Sequence, residues 1–283
     1  MPAKPVFRAK PNAIETLFGR RQAVIGVIHS RPLPGAPDYD GADMEDIIAF
    51  AVAEAQRYAD GGADGLIVEN HGDIPFAKPD ALGPETAACM AVMTRAVRLA
   101  TSVPVGVNVL ANAAVCALAV AKASGAAFVR VNQWANAYVA NEGFMEGPAG
   151  AAARYRAWLR ARDVKIFADV HVKHGAHAIV ADRTIGEMAR DAEFFDADVA
   201  IATGQRTGDA ASMDELRTIA EGTSLPVAVG SGVTPANVGD ILSVADAVIV
   251  ASYLKHDGVW WNPVDPARMA VFMDAVRQAR AQR

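Results

Sequence analysis

The sequence predicts an α/β fold, a single-domain (β/α)8 barrel, on three observations. Eight short apolar runs recur along the 283 residues, each followed by a loop and a segment of helical periodicity. That alternation is what a parallel sheet with helical crossovers requires. The junctions from helix back to strand repeat a phrase: Asp60-Gly-Gly-Ala-Asp64 and Ala123-Ser-Gly-Ala-Ala127 close a helix on glycine, while Phe195-Asp-Ala-Asp198 and Val244-Ala-Asp-Ala247 do so without it. No linker, low-complexity tract or shift of composition divides the chain, so residues 1–283 read as one domain. Eight units filling the whole chain favour a closed barrel over an open doubly wound sheet.

The elements follow in order. Residues 1–21 form an N-terminal extension in which Asn12–Gly19 reads as a short helix covering the barrel floor. The first strand, Ala23–His29, leads through a stiff proline-rich loop to a helix over Met44–Asp60. Strand Gly65–Glu69, helix Glu85–Ala100, strand Val105–Val109 and helix Ala113–Ser124 come next. Strand Phe128–Asn132 is followed by a long loop, Gln133 to Gly147, of the kind that forms lids, and by a helix over Ala149–Arg162. Lys165–Val172 and Asp198–Ala202 are strands, with helices Thr184–Phe195 and Ser212–Glu221 after them. Strands Val227–Gly230 and Ala247–Ala251 precede the last helices, Pro235–Ser243 and Pro266–Arg280. Ser102-Val-Pro104 and Ser224-Leu-Pro226 each sit just before a strand, where proline is tolerated.

Composition excludes several classes of function. The hydrophobic share of 52% supplies a large core. The formal charge of −5 is interspersed, with no basic stripe for nucleic acid. The most apolar stretch, Val103 to Val131, is broken by Asn108, Asn112, Lys122 and Arg130, so membrane insertion is not expected. Met1 to Arg21 has no apolar segment of the signal-peptide type, and a cytoplasmic location is expected. Cys89 and Cys116 read as free thiols. The alanine-rich stretches Ala87–Ala91 and Ala111–Ala123 are apolar nearly all round, which predicts a homo-oligomer.

Chemistry in such a barrel sits at the C-terminal strand ends. There Val227–Val229 runs into Gly230-Ser231-Gly232, with Thr234 as a candidate helix cap and Pro235 in the first helical turn. Together with Ser252 after the next strand, these residues suit an anion site for a phosphate; the bland alternative is a tight strand-to-helix turn. In Asp169-Val-His171-Val-Lys173, period two places acid, imidazole and amine on one strand face. That arrangement reads as an internal ion pair with a bonded histidine, as a metal site, or as an acid–base pair beside Lys173. His29, Glu69, Asp169 and His171 together would make a two-histidine, two-carboxylate set suited to a divalent metal ion, though nothing in the sequence requires a cofactor. Arg130 and Asn132 point inward, Arg130 either pairing with Glu69 or Asp169 or clamping a substrate anion. Thr203-Gly204 opens a loop rich in donors for sugar hydroxyls or phosphate.

Val24-Ile-Gly-Val-Ile-His-Ser-Arg-Pro-Leu-Pro-Gly-Ala-Pro, Asp64-Gly-Leu-Ile-Val-Glu-Asn-His-Gly-Asp-Ile-Pro-Phe, Ala168-Asp-Val-His-Val-Lys-His and Gly230-Ser-Gly-Val-Thr resemble the BtpA/SgcQ family over nearly the whole chain. The resemblance implies a TIM-barrel fold related to the phosphate-binding barrels. One type of member is associated with photosystem I biogenesis or stability, and others sit among sugar-metabolism genes. His29-Ser30 departs from the family, whose members often carry His-Leu there. Two functions are therefore expected in competition. One is an enzyme acting on a small phosphorylated substrate, a sugar phosphate in class, by isomerase or epimerase proton transfer or by aldolase or lyase chemistry. The other is a non-catalytic assembly or stability factor. Ionisable groups gathered at strand ends favour the enzyme.

Overall fold

The computed structural model describes residues 10–204 and 212–282. The strands are β1 (Ala23–His29), β2 (Gly65–Glu69), β3 (Val105–Asn108), β4 (Phe128–Val131), β5 (Ala137–Ala140), β6 (Gly143–Glu146), β7 (Lys165–Asp169), β8 (Gly175–Ala176), β9 (Val199–Ala202), β10 (Val227–Gly230) and β11 (Ala247–Val250). Helices are α1 (Ala13–Phe18), α2 (Met44–Asp60), α3 (Pro84–Ala100), α4 (Ala114–Ser124), α5 (Ala149–Trp158), α6 (Ile185–Phe194), α7 (Met213–Gly222), α8 (Val238–Leu242) and α9 (Pro266–Ala281). Eight strands close a parallel barrel in the order β1-β11-β10-β9-β7-β4-β3-β2. The TIM-barrel fold expected from the sequence is the one observed.

Period two assigns each barrel residue to one of two cores. Ile25 and Val27, Ile67, Phe128, Phe167, Ile201, Ala228 and Ile249 fill the interior. Their neighbours Val24 and Ile28, Leu66 and Val68, Val129, Ala168, Val229 and Val248 face the helices. Phe128 and Phe167 stack inside at 4.4 Å, and Phe18 of α1 meets Phe128 edge-on at 5.8 Å, so α1 packs against the barrel interior. Among the described residues, the ligand-sized cavity opens at the opposite end of the barrel.

Several helix starts lie at a side-chain cap. Thr184 accepts from Glu187 N and Ser212 from Glu215 N, which is why the two sequence-expected helices begin one residue before α6 and α7. The α6 end is tied to the segment before β10 through Glu193, whose carboxylate accepts from Thr223 Oγ1, from Ser224 N and from the Ser224 hydroxyl. Burial raises this carboxyl, but the Ser224 and Thr223 donors outweigh it and hold it below its ordinary value. A carboxyl depressed in the fold stabilises above its unfolded pKa and loses that contribution as pH falls through the folded one. Glu193→Gln is therefore expected to cost about 1–2 kcal/mol at neutral pH, with the gap to wild type narrowing in acid. Urea midpoints at neutral pH and below the ordinary value of 4.5 test this, and a gap independent of pH would contradict it.

The structure changes several expected segments. Residues 133–147 are not an irregular loop: β5 and β6 pair as an antiparallel hairpin, with β8 added on the other side of β5. The expected strands ending at Val109, Asn132 and Val172 stop at Asn108, Val131 and Asp169, where pairing with the neighbouring strand runs out. The helix expected from Pro235 begins only at Val238, after a turn. Val92 and Leu99 of α3 and Val115 of α4 remain exposed, so this alanine-rich pair keeps apolar residues at its surface. Cys89 and Cys116 are free thiols. No helix among the described residues is long and apolar enough to cross a membrane.

Candidate functional site at the barrel mouth

The inward parity that buries Val27, Ile67 and Phe128 also fixes what stands above them. Two residues further along each strand come His29, Glu69 and Arg130, with Asp169 above Phe167 and Gly230 above Ala228. Strand register places His29 opposite Glu69 and Glu69 opposite Asn108, so three polar side chains lie in a row across β1, β2 and β3. Above them opens a cavity of about 670 Å³, whose wall includes His29, Glu69, Arg130 and Asn132 together with Gly230, Ser231, Gly232 and Ser252. Tyr138 and Asn141 of the hairpin complete it.

His71, a residue outside the sequence-derived candidates, joins the row. The chain leaves β2 into a single 3-10 turn, His71–Asp73, held by Asn70 Nδ2 on Asp73 Oδ2 at 2.9 Å and by Leu33 N on Asp73 Oδ1 at 2.8 Å. Glycine is required at position 72, because a Cβ there would meet the Ser30 carbonyl at 2.5 Å. The turn brings His71 over His29, with ring centroids 4.5 Å apart and 26° between planes. The spacing Glu69-x-His71 was the available signal, since period two puts both on the face of β2 that carries Glu69.

Two groups of this triad, Glu69 and His29, are held from behind. Asn108 Nδ2 donates to Glu69 Oε2 at 2.6 Å. His29 Nδ1 lies 3.1 Å from the Trp260 carbonyl, which can only accept, so Nδ1 carries the proton and Nε2 of the neutral ring presents its lone pair. That Nε2 faces Glu69 Oε1 at 3.7 Å, and His71 Nδ1 faces the same oxygen at 3.2 Å. Burial, with His71 beside it, lowers the His29 imidazole to about 3. Burial would raise the Glu69 carboxyl, but His71, His29 and Arg130 outweigh it and hold it well below the usual carboxylate range. One donor atom from each of His29, Glu69 and His71 lies within 4.8 Å of the others, a spacing at which the three could hold one metal ion.

The expected four-residue metal set is corrected here, since neither Asp169 nor His171 joins His29 and Glu69 in this cluster. Asp169 is bidentate with Arg130, accepting from Nε and Nη2 at 3.0 Å each. Burial works against the guanidinium charge, but Asp169 outweighs it and raises the Arg130 pKa. This is the internal pairing that the sequence left open for Arg130. The expected shared face of Asp169, His171 and Lys173 does not form. Beyond Asp169 the ladder ends, and Val172 packs with Tyr138 and Met145 and lines the cavity in place of His171. His171 instead sits 3.7 Å from Glu215 and against His177, at 3.9 Å between rings. Lys173 does line the cavity. Thr203 is buried and donates to the His171 carbonyl at 2.8 Å. Among the described residues, neither Thr203 nor Gly204 is part of the cavity wall, and the rest of their loop, 205–211, lies outside those residues.

After β10, Asn237 and not Thr234 organises the glycine turn. Asn237 Oδ1 accepts from Thr234 N at 2.7 Å, and its Nδ2 donates to the Gly232 carbonyl at 2.9 Å. Gly232 adopts φ +64° and Ser231 φ 137°, so the turn is bent back sharply over the mouth. The expected Thr234 cap is thus replaced by a side-chain-braced turn ahead of the five-residue α8. Arg268 of α9 also lines the cavity, its Nε donating to the Tyr253 carbonyl at 2.7 Å and its guanidinium over the Tyr253 ring at 4.8 Å. Asn132 contributes a buried Oδ1 with no hydrogen-bond partner. Nothing in the sequence pattern marked Arg268 or Trp260, because each is brought to the mouth from the end of the chain.

Comparison with known proteins gives a consistent family. The BtpA family model matches residues 20–278. An uncharacterized protein of Archaeoglobus fulgidus is 43% identical over 238 residues, covering 84% of this chain and 93% of that protein. The photosystem I biogenesis protein BtpA of Synechocystis is 37% identical over 264 residues, covering 92% of this chain and 90% of its own. Among solved structures, the (S)-3-O-geranylgeranylglyceryl phosphate synthase of Thermoplasma acidophilum, in complex with sn-glycerol-1-phosphate, has a TM-score of 0.57 at 13% identity, covering 95% of this chain and 100% of that one. Thiamine phosphate pyrophosphorylase of Pyrococcus furiosus has a TM-score of 0.55 at 17% identity, covering 95% and 99%. At such identities the likeness to solved structures is one of fold.

Proposed function

The chain belongs to the BtpA family, and we propose that it is an enzyme acting on a small phosphorylated metabolite, a sugar phosphate in class, at the C-terminal mouth of its barrel. The reaction is a proton transfer of the isomerase or epimerase kind, or an aldolase- or lyase-type cleavage. The observation that carries this reading is a cavity lined by two chemically different sets of residues. One presents the Gly230–Gly232 turn, Ser252 and the Arg268 guanidinium, which suit a phosphate; the other presents His29, Glu69 and His71. An ionised carboxylate and a neutral imidazole, both buried and both held from behind, are groups able to accept or relay a proton at the far end of a ligand anchored by its phosphate. Arg130 is close enough to Glu69 to affect its charge, and so supplies a positive field for oxyanion character developing there. The names of the two structural neighbours, each with a phosphate compound in it, agree with that anchor. The name of the Synechocystis relative supports a second reading, an assembly factor that uses the same fold without catalysis.

Gly232→Asp tests the proposal. Aspartate tolerates the positive φ of this position, so the fold should persist while a carboxylate repels the phosphate. Inorganic phosphate and a panel of pentose and hexose phosphates are screened by thermal shift. At least one is expected to stabilise wild type, by about 2.7 kcal/mol at a hundredfold excess over Kd, and to leave the variant unmoved. Equal shifts in both proteins, or none in wild type with any compound, would remove the phosphate anchor and leave the assembly reading.

A further inference from the structure

We propose that His29 Nε2, Glu69 Oε1 and His71 Nδ1 form a binding site for one first-row divalent transition-metal ion, open on its cavity side. The proposal begins from an arrangement that hydrogen bonding does not complete. His29 gives its only ring proton to the Trp260 carbonyl, so Nε2 brings a lone pair towards a carboxylate oxygen 3.7 Å away, too far for a hydrogen bond. His71 Nδ1 is buried and, though 3.2 Å from the same oxygen, is not aligned to bond with it. One nitrogen from each imidazole and one carboxylate oxygen lie within 4.8 Å of one another, so that a cation among them would be held by all three.

The surroundings are those a bound ion needs. Trp260 orients the His29 ring through its carbonyl, and the Trp260 ring stands edge-on to His29 at 5.6 Å and to His71 at 4.5 Å. Asn108 occupies Glu69 Oε2 and leaves Oε1 turned to the imidazoles. Such outer contacts fix the tautomer and direction of ligands. Two nitrogens and one oxygen favour a transition ion over magnesium or calcium, which prefer all-oxygen shells. Three protein ligands leave at least one position for water or for a substrate oxygen entering from the cavity, the pattern of catalytic and not of structural sites. The site stands on the triad alone, and only the identity of the oxygen that completes it depends on the phosphorylated-substrate reading.

Metal alone is the probe. The full chain is stripped with chelator, freed of it and titrated with Co2+ in the absence of any phosphorylated compound, following visible absorption, and then with Zn2+ by calorimetry. One equivalent of Co2+ is expected to give a spectrum of low symmetry, which Zn2+ displaces. His71→Ala and Glu69→Gln should each weaken binding by about a hundredfold or more, while His171→Ala leaves it unchanged. His71 lies on a one-turn helix with its side chain 20% exposed, so its removal should keep the fold, as circular dichroism will show. His71→Asn serves if alanine does not fold. Absence of stoichiometric Co2+ uptake by wild type, unaltered affinity in both triad variants, or loss of binding in His171→Ala would each overturn the site. None of these outcomes alters the Gly232→Asp result, so the ion and the phosphate anchor fail separately.

Discussion

Replacing Asp169 by alanine is expected to destabilise the barrel by about 3–5 kcal/mol. The Arg130 guanidinium would then lie within the mouth without its two 3.0 Å bonds, and its side chain is only 8% exposed, so water cannot readily replace them. A charge stripped of its partner in such a place costs more than the intact pair contributes. The double variant Arg130→Met, Asp169→Leu removes both charges and should recover most of the loss. Urea denaturation of the two single variants and the double one measures the coupling. If Asp169→Ala instead loses under about 1 kcal/mol while phosphate-compound binding disappears, Asp169 belongs to the ligand and not to the framework.

Glu54→Gln is expected to cost a similar amount, about 3–5 kcal/mol, for a different reason. Lys255, in the loop after β11, pairs with Glu54 of α2, and both side chains are essentially without solvent contact. The same carboxylate accepts from Val264 N at 3.1 Å and from Arg57 Nη1 at 2.7 Å, and the ammonium lies 5.3 Å from the centre of the Tyr58 ring. These contacts tie α2 to the loop after β11 beside the β1–β11 seam, the closure on which the barrel depends. Burial depresses the Lys255 pKa although Glu54 opposes it, so the ammonium has little besides that carboxylate to favour its charge. Lys255→Met should cost less than Glu54→Gln, because it leaves a carboxylate that keeps Arg57 and the Val264 N–H. Equal losses in the two variants, or a loss under about 1 kcal/mol in Glu54→Gln, would show that the pair does not hold the seam.

Lys255 also illustrates how a residue type can mislead. In the sequence it is a cation three residues after Ser252, with nothing to say which way it turns. In the fold it is turned to the outer layer, and Arg268, from a helix at the far end of the chain, stands at the mouth. The Asp169, His171, Lys173 run shows the same limit. The alternation is present in the sequence, but strand geometry lasts only as long as a neighbouring strand supplies bonds. Once β9 stops pairing at Asp169, the chain bends, Val172 takes the inward position and His171 turns to Glu215.

What the sequence by itself determined is everything governed by period two inside a paired ladder. Eight apolar runs with helices between them specify the barrel, and parity along those runs points His29, Glu69, Arg130 and Asp169 into one mouth before any coordinate is known. The tertiary structure alone decided which of these groups touch. It joined His29 and Glu69 to His71 through a single turn packed on the Ser30 backbone, and gave Asp169 to Arg130. It also set Trp260 behind His29 from more than two hundred residues away, and brought Arg268 of α9 into the same cavity as the glycine turn. The reason is physical. Repetitive backbone bonding transmits direction along a strand without reference to distant residues, whereas the final loops take their shape from side-chain contacts between segments that meet only when the barrel closes.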